Sequence, residues 1–142
     1  MSAAENETVP SAPAEVSGGV IVYLMVDGAS KAAQFYQCAF AATEAFRYPE
    51  DESGRTMHIH LYINGSSLML SDAYPEHGCP LEKPQGFTVT LQVDNIDIWF
   101  DRAVAAGAEV VMPVTQMFWG SRYAQLRDPF GVMWAINEKP QR

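Results

Sequence analysis

Apolar and polar positions alternate along the first half of the chain in a way that predicts a strand, a helix and three more strands. Residues 19–26 form a nearly continuous apolar, β-rich run that ends at Asp27-Gly28, as a strand does on entering a turn. Between residues 32 and 40 the apolar positions recur at helical spacing and predict one buried stripe. Asn64-Gly65 is a strong signal for a two-residue hairpin turn. The extended segments predicted after the helix are 43–48, 56–64 and 66–71.

The second half of the chain repeats this order of events. Residues 87–93 predict a strand, and Asn95 can cap the helix that follows it. The helical stripe returns between Ile96 and Val104 and ends at Ala106-Gly107-Ala108. The repeat predicts two copies of one βαβββ unit and therefore an α+β fold class. The remaining strands are predicted at 109–112, 122–127 and 132–137.

Several short motifs add to the repeat. Tyr23 to Asp27 leads into Phe35-Tyr36, His58 precedes the hairpin, and residues 68–72 read Leu-Met-Leu-Ser-Asp. With these marks the chain resembles the vicinal-oxygen-chelate superfamily, which includes glyoxalases, bleomycin resistance proteins and dioxygenases. The ending, Trp-Gly-Ser-Arg-Tyr at 119–123 and Asp-Pro-Phe-Gly at 128–131, is similar to the PhnB-like branch. The resemblance implies two βαβββ modules that form a cupped mixed sheet around a ligand cavity.

The domain organisation follows from length and composition. Residues 1–18, rich in Ala, Glu, Ser and Pro, predict a disordered N-terminal tail without the basic and apolar regions of a secretion signal. Residues 19–142 predict a single glyoxalase-like domain. Its expected parts are module one at about 19–72, a linker at about 73–86 and module two at about 87–138.

The resemblance also implies a divalent metal held by the first and last strands of each module. The equivalent positions here are Ile21 or Val20, Met69, Thr88 and Ala135. None of them is a carboxylate or imidazole, the groups that hold hard divalent ions. We therefore expect the usual metal site to be absent and no cofactor to be required. The alternative is a rebuilt metal site that uses His58 and His60 with a third ligand.

Strand alternation and hairpin register assign the cavity lining. The Asn64-Gly65 turn places alternate residues of the hairpin on one sheet face, and the resemblance makes the face of Met69 the cavity side. Polar residues at alternate positions of the 87–93 strand favour a ligand cavity over a closed core. Ala124 and Leu126 are assigned to the same lining. The candidate ligand-binding residues are Tyr23, His58, His60, Tyr62, Met69, Thr88, Thr90, Gln92, Trp119 and Arg122.

Three of these assignments have alternatives. His58 and His60 are pocket residues, or one of them is a structural histidine with its hydrogen bonds satisfied. Arg122 pairs either with an anionic substrate or with Asp128 or Glu138. The loop around Trp119 closes over the mouth of the cavity, or it packs on a second copy of the chain.

Charge and cysteine content narrow the function. A net charge of −8 and a pI near 4.7 disfavour nucleic-acid binding, and no apolar run is long enough to insert into a membrane. Two cysteines, Cys38 and Cys79, fit a reducing cytoplasm better than a disulfide scaffold. We expect a homodimer that binds a small molecule without metal, in the manner of bleomycin resistance proteins. The alternatives are a metal-dependent lyase, isomerase or dioxygenase using His58 and His60, and a noncatalytic regulatory or assembly role.

Overall fold

The computed structural model describes residues 14–140, so most of the predicted tail lies outside the described residues. The chain divides into two compact units. Within the described residues, the first comprises 14–34 with Ala42–Glu82, and the second comprises Phe35–Ala41 with 83–140.

A four-stranded sheet, sheet A, belongs to the first unit. Its strand order is β1-β4-β3-β2, with β1 and β4 parallel and the other neighbours antiparallel. The chain also forms one 3-10 turn, Pro75–His77, after the sheet. The first-half elements are β1 (Val22–Val26), α1 (Ala29–Phe40), β2 (Thr43–Arg47), β3 (Ile59–Ile63) and β4 (Ser66–Asp72).

Sheet B, in the second unit, repeats this topology with the order β5-β8-β7-β6. Again the first and last strands of the module, β5 and β8, are parallel. The predicted α+β fold of two βαβββ modules is confirmed. The second-half elements are β5 (Val89–Val93), α2 (Ile96–Ala106), β6 (Glu109–Gln116), β7 (Arg122–Arg127) and β8 (Met133–Glu138).

A carboxylate at the end of β4 fixes the start of α1. Asp72 Oδ1 accepts hydrogen bonds from the backbone N–H groups of Gly28 and Ala29, at 2.8 and 3.0 Å. Its other oxygen accepts the N–H of Thr56 at 2.9 Å. Helix N-termini leave N–H groups without intrahelical partners and favour a negative charge. Asp72 therefore joins strand, helix and loop in the first module.

Glu138, at the end of β8, occupies the corresponding place in the second module. Its Oε2 accepts the N–H of Ile96 at 3.0 Å, at the first residue of α2. Asn95 is the N-cap, as predicted, and its side chain accepts from Ile98 N at 3.4 Å. Gly107 ends the helix at φ +117°, a backbone conformation that favours glycine. In each module, therefore, a carboxylate at the end of the last strand accepts backbone hydrogen bonds at the start of the helix.

Alternation along the strands places large apolar side chains on one face of each sheet, the buried face. The opposite face, here called the open face, carries both exposed and buried side chains. In sheet A the buried face carries Leu24, Ile59, Leu61, Leu68 and Leu70, none more than 4% exposed. The second unit has an aromatic core in which Trp134 contacts Phe40 and Tyr36, with ring centroids 4.4 and 5.2 Å apart. No helix among the described residues is long and apolar enough to span a bilayer.

Candidate functional site

The hairpin register predicted for sheet A is confirmed. Tyr62 pairs with Ser67, and His60 pairs with Met69, across the Asn64-Gly65 turn. Tyr23 of β1 pairs with Met69 from the other side, so Tyr23, Met69 and His60 form one row across three strands. His58, the other predicted site residue of sheet A, directly precedes β3 and lies two positions before His60, so it belongs to the same face. The open face of sheet A is formed by Tyr23, Met25, His58, His60, Tyr62, Ser67, Met69 and Ser71, of which His60, Ser67 and Ser71 are buried.

His58 lies among aromatic rings. Its Nδ1 is 3.0 Å from the hydroxyl of Tyr23, and the ring centroids of Tyr23, Phe46 and Tyr48 lie 5.6 to 6.2 Å from its own. Burial lowers the pKa of His58 below its ordinary value. A neutral imidazole beside a phenol can position a polar group of a ligand, while the rings offer stacking area. Sequence reasoning missed Phe46 and Tyr48, because nothing in the pattern placed β2 on this face.

His60 has a different environment. It is only 2% exposed, and its Nε2 lies 2.7 Å from the hydroxyl oxygen of Ser67. Burial, and then the neighbouring His58, lower the pKa of His60. His60 therefore matches the structural alternative, a buried histidine with a hydrogen-bond partner.

The segment that precedes β1 contacts the hairpin end of this face. Ser67 N–H donates to the carbonyl of Ser17 at 2.9 Å, and Ser17 N–H donates back to Ser67 Oγ at 2.8 Å. Tyr62 donates its hydroxyl hydrogen to the carbonyl of Glu15 at 2.5 Å. A shallow hollow of about 300 Å³ is lined by Glu15, Ser17, Tyr62 and Gly65. Part of the predicted tail thus borders the open face of sheet A.

The open face of sheet B consists of three rows of polar and small side chains. The central row is Thr90, Ala135 and Gln125, set by the β5–β8 and β7–β8 pairings. In the next row Asn137 Nδ2 donates to Gln92 Oε1 at 3.1 Å. Thr88 directly precedes β5 and begins the third row. The open face of sheet B is formed by Thr88, Thr90, Gln92, Tyr123, Gln125, Arg127, Met133, Ala135 and Asn137, of which Ala135 is fully buried.

The face assigned to Arg122, Ala124 and Leu126 was wrong. Tyr123 pairs with Asn137 and Arg127 pairs with Met133, so the odd-numbered residues of β7 share the face of Ala135. The β7–β8 hairpin has five connecting residues, 128–132, and a change of one residue in loop length turns every side chain to the opposite face. Ala124 and Leu126 are fully buried on the other side. The five-residue length of this loop, read from the sequence, would have placed Tyr123, Gln125 and Arg127 on the open face.

Arg122 is held by carboxylates away from the open face. Its Nε and one terminal nitrogen each bond an oxygen of Glu138 at 3.0 Å. Asp97, in the first turn of α2, accepts a further bond at 3.0 Å. The bonds to Glu138 first, and then those to Asp97, raise the pKa of Arg122. The bonds from Arg122 in turn lower the pKa of Glu138. Of the alternatives for Arg122, the salt bridge to Glu138 is the one observed.

Trp119 borders the open face of sheet B. Its Nε1 donates to Asn137 Oδ1 at 3.4 Å, and its ring lies 5.6 Å from that of Tyr123. Its neighbour Phe118 is 95% exposed. The loop between β6 and β7 therefore places one aromatic ring against the polar row and leaves another in solvent.

The positions that the resemblance assigns to metal ligands carry no suitable donors. Met69 and Ala135 lie on the open faces, each in a row between its neighbouring strands. A thioether and a methyl group do not hold a hard divalent ion. Within residues 14–140, no three or more His, Cys, Asp or Glu side chains are grouped to hold one elsewhere. The donor set does not fit the metal of the superfamily.

The fold and these positions define a two-module βαβββ protein, and sequence comparison identifies its family. Residues 19–136 match the family model of the Glyoxalase/Bleomycin resistance protein/Dioxygenase superfamily. The chain belongs to this superfamily.

Individual relatives agree with this assignment. An uncharacterized protein of Mycobacterium bovis is 38% identical over 122 residues, which cover 82% of this chain and 80% of the relative. The crystal structure of protein PA1353 from Pseudomonas aeruginosa is similar with a TM-score of 0.72 at 27% identity, covering 88% of this chain and 100% of that one. The PhnB protein of Bacillus cereus shares the fold, with a TM-score of 0.68 at 23% identity over 86% of this chain and 100% of that one.

Proposed function

We propose that this protein is a PhnB-like, bleomycin-resistance-type protein that binds a small organic molecule on the open faces of its sheets, without a divalent metal. The observation that carries the proposal is the placement of Met69 and Ala135. Both stand at positions that the resemblance assigns to metal ligands, and both side chains lack oxygen or nitrogen donors. Binding then depends on the side chains around them.

The chemistry of the open faces supports a ligand with both apolar and polar groups. Sheet A offers the rings of Tyr23 and Tyr62 and the thioether of Met69, with Tyr23 half-exposed. Sheet B offers the hydroxyl of Thr90 and the amide of Gln92, both exposed. Small-molecule sites combine apolar area for affinity with a few polar groups for orientation.

The alternative, a metal-dependent lyase, isomerase or dioxygenase, needs His58 and His60 as ligands. His60 Nε2 is engaged with Ser67, and the described residues supply no third ligand nearby. The contacts therefore favour binding without metal. If His58→Ala and His60→Ala together abolished metal content and turnover, the alternative would replace our proposal.

Metal analysis and ligand screening test the proposal. Protein purified at neutral pH is expected to contain far less than one equivalent of zinc, nickel, manganese or iron by inductively coupled plasma mass spectrometry. A thermal-shift screen of small aromatic and polar compounds is expected to give ligands whose stabilisation survives EDTA. Stoichiometric metal, or stabilisation that EDTA removes, would contradict it.

A matched pair of variants locates the binding. Tyr23→Ala removes a ring from the open face of sheet A and should weaken a hit found in the screen. Val111→Ala, a truncation of a half-exposed residue of β6, should leave the affinity unchanged.

We also propose that the partner is a second copy of this chain and that the protein works in the cytoplasm. Sedimentation equilibrium would reveal a dimer, and a monomer at micromolar concentration would contradict this.

A further inference from the structure

One end of the open face of sheet B contains a hollow of about 480 Å³. Its wall includes Thr88 before β5, Arg127 at the end of β7 and Met133 at the start of β8. Lys83 and Phe87, from the segment that leads into β5, also line it. This volume lies within the range of about 300 to 1,000 Å³ that small-molecule sites occupy.

Two cationic side chains border this hollow in a chain whose net charge is −8. Among residues 14–140, Arg127 has one ion pair, in which its Nε lies 3.9 Å from Glu109, and that carboxylate is 73% exposed. Lys83 makes no ion pair with any residue between 14 and 140. An exposed contact of this length contributes little, so both cations keep donors for a ligand.

Arg122 provides the contrast within the same unit. Its guanidinium is occupied by Glu138 and Asp97 at 3.0 Å. Of the two arginines of β7, Arg127 is therefore the one not held at 3.0 Å by carboxylates, and Lys83 adds a second cation at the same hollow. A guanidinium matches the two oxygens of a carboxylate or phosphate in a bidentate geometry.

The other residues of the wall favour an organic ligand over an inorganic ion. The hydroxyl of Thr88 adds a donor, while Phe87, 45% exposed, and Met133 present apolar surface. We propose that this hollow binds an organic anion whose carboxylate or phosphate head contacts Arg127 and Lys83, and whose aromatic or apolar body lies on Phe87 and Met133. This inference rests on the proposed small-molecule function and places the charged end of its ligand.

Binding of four probes to the wild-type protein tests the inference by isothermal titration calorimetry. Phenyl phosphate and benzoate should both bind in a 1:1 ratio, and benzyl alcohol, which lacks the charge, should bind at least about tenfold more weakly. Inorganic phosphate should also bind at least about tenfold more weakly than phenyl phosphate, since it lacks the ring. Amide NMR shifts caused by phenyl phosphate should concentrate at residues 83–88 and 127–133.

Charge-matched variants provide the control. Arg127→Gln and Lys83→Gln should each weaken phenyl phosphate binding about tenfold, the loss expected for a charge-assisted hydrogen bond. Lys139→Gln makes the same change of charge in the same unit, where Lys139 pairs with Asp94, and should leave binding unchanged. Arg127→Lys should retain part of the affinity, and circular dichroism should be the same for all variants.

Several results would overturn the inference. Equal weakening by Lys139→Gln would mean general electrostatic attraction, and equal binding of benzyl alcohol would mean that the anion plays no part. Equal binding of inorganic phosphate would reduce the hollow to an ion site. If the ligands of the thermal-shift screen bind wild type, and bind Arg127→Gln and Lys83→Gln with the same affinity, this inference fails and the proposed function stands. If no compound binds, the proposed function fails as well.

Discussion

The phenol of Tyr36 donates a hydrogen bond of 2.6 Å to Asp128 Oδ2, and both groups are buried in the second unit. The indole of Trp134 donates to the same oxygen at 2.9 Å. The other oxygen accepts the backbone N–H groups of Phe130 and Val132, each at 2.9 Å. Four donors thus satisfy one buried carboxylate, which ties the end of α1 to the turn between β7 and β8.

Replacing this carboxylate should destabilise the protein strongly. In Asp128→Asn an amide group would face donors, and we expect a loss of about 3 kcal/mol in the free energy of unfolding. Tyr36→Phe should cost about 1 to 2 kcal/mol, because Asp128 keeps its other partners. Urea unfolding measures both. Asp94→Asn, at a side chain that is 86% exposed, is the control and should change stability by less than about 0.5 kcal/mol. An Asp128→Asn loss as small as the control would refute the role of the carboxylate.

Alkaline pH should weaken the same contact. Burial first, and then the charge of Asp128, raise the pKa of Tyr36 well above its ordinary value of 10.0. A raised folded-state pKa gives stability that is present below pH 10 and is lost as pH rises through the folded pKa. Wild type should therefore lose more unfolding free energy above pH 10 than Tyr36→Phe. The half-exposed Tyr48, as Tyr48→Phe, provides the control, and parallel pH curves for wild type and Tyr36→Phe would contradict the prediction.

The carboxylate that begins α1 gives a further test. The carboxylate of Asp72 accepts hydrogen bonds from three backbone N–H groups, and in Asp72→Asn an amide replaces it. This change should lower the free energy of unfolding by about 2 kcal/mol. Asp27→Asn, at an exposed carboxylate in the adjoining turn, should have little effect. Thermal and urea unfolding of the two variants measure this difference in stability. Equal stabilities would mean that Asp72 does not anchor the helix.

The corrected register of β7 predicts opposite effects for neighbouring residues. Leu126→Ala should cost about 2 to 5 kcal/mol, because the side chain is fully buried. Gln125→Ala, on the open face, should change stability by less than about 0.5 kcal/mol. Urea unfolding of both variants measures the difference. A larger effect at Gln125 would restore the register expected from sequence.

Acid pH should weaken the first unit through His60. Burial, and then His58, lower the pKa of His60 below 6.5, so the folded state binds its proton less readily than the unfolded state. Stability is then present above pH 6.5 and falls as pH drops below it. Between pH 7.5 and 5.5 the urea midpoint should fall more for wild type than for His60→Gln. His77→Gln, in the exposed 3-10 turn, is the control, and a wild-type slope equal to that of His60→Gln would contradict the prediction.

Much of sheet A could be predicted from sequence because the information is local. The Asn64-Gly65 turn has a fixed length, and the two residues adopt φ of +51° and +83°. Register follows from that length, so His60 opposite Met69 was predictable. The neighbourhood of His58 was not, because its rings come from Phe46 in β2 and from Tyr48 directly after it, and the pairing of β2 with β3 includes an irregularity between Glu44 and Phe46.

The repeat, the strand and helix order, the Asn95 cap and the lack of metal donors at Met69 and Ala135 were determined by the sequence alone. They depend on residue type and spacing, which a chain carries whether folded or not. Only the tertiary structure decided that Tyr36 donates to the buried carboxylate of Asp128 and that Glu138 and Asp97 together hold Arg122. Each of these contacts joins side chains far apart in the chain, so no local pattern of residue types specifies it.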